Sequence, residues 1–143
     1  MLIRWFPLML FAILLYNVLI FLGPVTFGVT PEEFLLYSFS IGMFSGDIWH
    51  FSIGDFIMLF GLAMLFVEVV KATRTSSASI LNHTLSMAVF ILAIIEFIVV
   101  PGFSTTPFFF LMAMALFDVV AGFTVSIVTA KRDFGQGGGV MVG

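Results

Sequence analysis

The chain contains no cysteine and very little charge. Without cysteine there are no disulfides, no thiolate metal sites and no cysteine nucleophile, and the redox compartment stays undecided. Charged residues make up 9% of the 143 positions, against about a quarter in a soluble domain. No water-facing surface can be assembled from so few. The five cations are scattered over the ends of apolar runs, so nucleic-acid binding has no basic patch to rest on. Also missing are Glu-x-x-His pairs of the kind that hold di-metal sites, and a serine beside histidine in a Gly-framed turn. His50 and His83 fall at opposite ends of the apolar segments, so one copy cannot hold a haem with both. No metal or other cofactor is expected.

What is present is apolar: 62% of residues, with a mean hydropathy of +1.25. The class that fits is an integral membrane protein. Phenylalanine dominates the aromatics, with 20 residues against two Trp and two Tyr. A ring without a polar atom suits lipid-facing and packing surfaces.

The runs predict an all-α fold of four antiparallel transmembrane helices, at about 3–22, 51–70, 80–100 and 107–130. Each is close to the ~20 residues that cross a hydrocarbon core. The first begins after Arg4-Trp5, carries Pro7 in its opening turn, and is expected to break at Gly23-Pro24. It is too long for a signal-peptide core and lacks a small-residue cleavage pattern, so it reads as a retained span. The second and third are joined by the polar turn 71–79, short enough to lay them antiparallel and side by side. Residues 1–134 form one domain, and the Gly-rich stretch 135–143 reads as a flexible tail.

Between the first two spans, Thr30-Pro31-Glu32-Glu33 has the pattern of a helix start: hydroxyl cap, proline, then acids at the positive end of the dipole. The run Phe34–Phe44 after it is too short to span, and is expected to form an interfacial or re-entrant helix. Ser45-Gly46-Asp47 ends it, and Trp49-His50 follows as an interfacial anchor. Ser52 and Asp55 have capping-box spacing at the start of the second span.

Arg4, Lys71, Arg74, Lys131 and Arg132 all fall on one side in this scheme, and Glu32, Glu33, Asp47 and Asp55 on the other. The positive-inside rule then places both termini in the cytoplasm. The expected location is a cell membrane of the bacterial inner-membrane kind, crossed several times.

Small and polar residues recur at helical spacing. Gly54, Gly61 and Glu68 share one face of the second span. Ser79, Asn82, Ser86, Val89, Ala93 and Glu96 share one face of the third, and Ala115, Asp118, Gly122, Ser126 and Thr129 one face of the fourth. Gly54, Gly61, Ser86, Ala93, Gly122 and Ser126 are the helix-packing candidates.

Five residues are candidates for an ion or proton pathway: Asp118, Glu96, Glu68, His83 and Asn17. Asp118 sits near the midplane, where an isolated charge costs about 2.5–3.5 kcal/mol on insertion scales. Asn17 and Glu96 form an outer layer roughly 9 Å deep, and Glu68 and His83 an inner layer. Such groups pass protons if they face one another, or fix helix register as hydrogen-bonding glue if they do not. Glue is the reading for Asn17, Asn82, Ser86, Ser126 and Thr129. Glu68 is expected to pair with Lys71 and snorkel toward the headgroups. Both readings stay open for Glu96 and Asp118.

The function that follows is a non-enzymatic subunit, homo-oligomeric or accessory to a larger membrane complex, with the bilayer as its other partner. A proton-linked transporter or channel using Asp118 and Glu96 is the alternative. An enzyme acting on lipid comes third.

Overall fold

A computed structural model describes residues 6–72 and 78–136, without the side chains of 78–80, 129–130 and 132–136. Arg4, Trp5, Arg74, residues 137–143 and the side chains of Ser79, Thr129 and Arg132 therefore lie outside the described residues. Four helices, over Met9–Phe27, Ile53–Ala72, Leu81–Val99 and Thr106–Val128, are long and apolar enough to cross a membrane. They are consistent with a membrane-spanning bundle.

The first helix, α1 (Met9–Phe27), does not break at Gly23-Pro24 but runs one turn further. Pro24 forfeits only one backbone bond there, and the Leu22 carbonyl gains the Thr26 hydroxyl at 2.7 Å. Gly28 closes the helix with φ +68° and its N–H on the Pro24 carbonyl. The short helix α2 (Pro31–Leu36) opens with the expected capping box between Thr30 and Glu33. Its Phe34 ring lies on Gly23, where an added Cβ would stand 2.2 Å from the ring.

The expected interfacial helix stops at Leu36, and the remainder is a β-hairpin. Strands β1 (Ser38–Gly42) and β2 (Ile48–Ser52) pair antiparallel, with Phe39 opposite Phe51 and Ile41 opposite Trp49. The reason is legible in hindsight: Ser-Phe-Ser-Ile alternates with period two, and Ile-Trp-His-Phe favours strand. Gly46, at φ +93°, closes the turn. The fold is therefore helical with one small β-element, not wholly α. Helix α3 (Ile53–Ala72) starts at once, with Asp55 accepting from the Ser52 backbone and hydroxyl at 2.8 Å each.

Helices α4 (Ala78–Val99) and α5 (Thr106–Gln136) complete the bundle. Residues 135 and 136 thus belong to α5 and not to a tail. α3 and α4 are not side by side. α5 packs extensively on both, α1 packs on α3 and α5, and α3 and α4 share little surface. Hydrocarbon offers no hydrophobic drive between helices, so close approach at small residues decides who neighbours whom. A Cβ on Gly61 would stand 2.4 Å from Leu111 of α5, and one on Gly54 2.9 Å from Pro107. Those two glycines give α5 the face of α3 that the short turn was expected to give α4. Met9, Tyr16, Ile57, Phe103, Phe108 and Leu111 are among the largest fully buried side chains.

Candidate functional site

The bundle has two ends, one carrying the α3–α4 connection (the turn end) and one carrying the hairpin. At the turn end, Glu68 is only 1% exposed. It pairs with Lys71 Nζ at 2.8 Å, one turn on, as the spacing suggests. It does not snorkel. Its Oε2 accepts the Leu8 backbone N–H at 2.9 Å, and its Oε1 accepts the Asn82 amide at 2.5 Å. Leu8 caps α1 and has no side-chain bond of its own there. A carboxylate on α3 therefore satisfies a free N–H at the positive end of α1, while holding the first turns of α4. Lys71 adds a bond to the Phe6 carbonyl at 3.0 Å. One acidic residue thus ties three helices, which is why it stays buried when its partner is near the surface.

His83, Ser86 and Asp118 extend this polar region between α4 and α5. The His83 ring lies on the backbone of Gly122, where a Cβ would be 2.3 Å from Nδ1. Only glycine leaves room for it. Asp118 and Ser86 are both buried, and the hydroxyl neighbours the carboxyl. Ser86 Oγ and Asp118 Oδ2 nonetheless have no hydrogen-bond partner of acceptable geometry. Ser126 turns its hydroxyl back onto the Gly122 carbonyl at 3.0 Å, within its own helix. Ala93 is fully buried on the same stripe of α4.

Toward the hairpin end, Asn17 of α1 donates to Glu96 Oε2 of α4 at 3.2 Å and to its own Ile13 carbonyl at 3.0 Å. Both residues are half-buried. They line an open groove of about 450 Å³ between α1 and α4, two helices that touch sparingly. From Ser86 to Glu96 is ten residues, about 15 Å along the helix. Residues 87–95 of α4, 107–117 of α5 and 56–67 of α3 carry no polar side chain. The five pathway candidates therefore fall into two clusters, Glu68, His83 and Asp118 in one and Asn17 and Glu96 in the other.

Tyr16 is the residue that the sequence reading missed. Its hydroxyl bonds the Gly102 carbonyl at 3.0 Å and Thr105 Oγ1 at 2.5 Å. Its ring packs against Phe103 and Phe108, with centroids 5.2 and 4.7 Å away. It fastens α1 to the α4–α5 connection. The available signal was a phenol in a run of phenylalanines, since a buried O–H needs a partner and Phe supplies none.

Among the described residues no group of three or more His, Cys, Asp or Glu could hold a metal ion. His50 contacts Ser40 at 2.8 Å in the hairpin, far from His83. No protein-family model, characterised protein or solved structure matches the chain.

Proposed function

We propose that the chain is a non-enzymatic membrane subunit, a homo-oligomer or an accessory partner of a larger complex, with both termini cytoplasmic. The observation that supports this most is the hairpin. Its pairing puts Ser38, Ser40, His50 and Ser52 on one face, and Phe39, Ile41, Trp49 and Phe51 on the other. A two-stranded hairpin has little stability alone in water. Yet Phe39, Ile41 and Trp49 are 58%, 41% and 49% exposed. An aromatic face at the mouth of the bundle, left bare by its own chain, suits a second protein surface at the membrane edge.

The test is the mass of the particle purified in mild detergent. A symmetric assembly or a defined complex is expected, and joint Phe39→Ser and Trp49→Ser substitution should release it with helical content unchanged. A solitary monomer, in detergent and in nanodiscs alike, would remove the reading.

A proton-linked transporter or channel is the second reading, favoured by the unpartnered oxygens of Ser86 and Asp118. The apolar stretch 87–95 of α4, between Ser86 and Glu96, weighs against it. Asp118→Asn keeps the shape and removes titration, so unaltered proton flux in liposomes would exclude Asp118 from any such path.

A further inference from the structure

The groove between α1 and α4 carries an inference beyond the subunit reading. Its volume of about 450 Å³ lies in the ~300–1,000 Å³ range of small-molecule sites. Its walls are aliphatic and aromatic except at Asn17 and Glu96. Glu96 stands in the last turn of α4, while Val89 and Leu92 continue the wall toward the middle of the bundle. The Asn17–Glu96 pair is therefore flanked by oily wall, with Leu10, Ile13 and Leu14 before Asn17 on α1 and Val18, Phe21 and Leu22 after it.

This polar pair is also one-sided in its chemistry. Both amide hydrogens of Asn17 are engaged, one by Ile13 and one by Glu96. Glu96 Oε1 and Asn17 Oδ1 have no hydrogen bond from any described residue. The site thus offers acceptors, one of them a carboxylate oxygen, and no donor. A carboxylate next to hydrocarbon is stabilised by a cation that brings its own hydrogens.

We propose that this groove binds a membrane-dissolved, single-chain amine. Its ammonium bonds Glu96 Oε1 and Asn17 Oδ1, and its alkyl chain lies along Leu14, Val89 and Leu92. The volume suits one chain, and the three ammonium hydrogens match a site made of acceptors alone.

The test uses the full chain in phosphatidylcholine nanodiscs, with radiolabelled dodecylamine as probe and empty nanodiscs subtracted. Saturable binding of one amine per chain is expected, with dodecanol weaker by about tenfold or more, the usual effect of a charged hydrogen bond. Glu96→Gln should weaken dodecylamine to a similar degree. Leu92→Trp, which narrows the groove and leaves the carboxylate alone, should weaken amine and alcohol together. Helical content is recorded for both variants, so that misfolding of one leaves the other decisive. Equal binding of dodecanol and dodecylamine, wild-type affinity in both variants, or no saturable binding would overturn the proposal. So would loss of dodecylamine binding in phosphatidylethanolamine nanodiscs, because the occupant is then an aminophospholipid.

Discussion

Replacing Glu68 by alanine removes one carboxylate and takes a partner from three groups. The Leu8 N–H and the Asn82 amide lose acceptors at 2.9 and 2.5 Å, and Lys71 loses its counter-charge at 2.8 Å. Breaking a buried ion pair costs about 3–5 kcal/mol. Lys71 is 20% exposed and keeps the Phe6 carbonyl, so the lower part of that range applies to the charge itself. The stranded N–H and amide restore some of the difference, at about 1–3 kcal/mol for an unsatisfied buried group. The expected loss for Glu68→Ala is therefore about 3–5 kcal/mol. Glu68→Gln can still accept from Leu8, but turns an NH₂ toward a donor, and should lose about 1–3 kcal/mol. Unfolding by SDS in mixed micelles, followed by circular dichroism, reads both values. Adding Lys71→Ala to Glu68→Ala should cost less than the sum of the two. A Glu68→Ala protein within about 0.5 kcal/mol of wild type, the scatter of ordinary surface changes, would refute the network.

Gly122→Ala must displace the His83 ring and should cost about 1–3 kcal/mol in the same assay, as overpacking does; no change would mean that the ring has another resting place. Tyr16→Phe keeps the aromatic packing and leaves the Gly102 carbonyl and Thr105 without the phenol. It should cost about 1 kcal/mol, and hydrogen exchange should rise at the start of α5, not at the turn end. Glu33 is held below the ordinary glutamate value of 4.5 by the Thr30 backbone N–H and hydroxyl. The capping box is therefore fully formed above that value and is lost as pH falls through the lowered one. Carboxyl carbon NMR should show a Glu33 midpoint below 4.5, and Thr30→Ala should raise it.

The four spans were readable because twenty-residue apolar runs have few alternatives in physics. Segments between them were read less well. The stretch after Pro31 has a strong helix start, and its capping box is as expected, but period-two alternation overrides helix after Leu36. Pro24 looked like a terminus and proved tolerable one turn from the helix end. Which helices touch is not written in turn length. It follows from the glycines at 54 and 61, which the spacing showed and whose partner helix it did not. Position along the helices put Asn17 and Glu96 in one layer and Glu68 and His83 in another, but did not show which residues of neighbouring helices meet. That Asp118 of α5 lies beside Ser86 of α4, about 15 Å of helix from Glu96, emerged only from the packing of the two helices.

The absence of cysteine makes the central claim directly measurable, since any introduced thiol is the only one. Ser45→Cys marks the hairpin tip and Lys131→Cys the far end of α5, and both positions are exposed. In sealed vesicles of one orientation, a membrane-impermeant maleimide should label only one of the two, and permeabilisation should expose the other. Labelling of both from the same side would contradict a chain that crosses the bilayer four times with its hairpin opposite its ends.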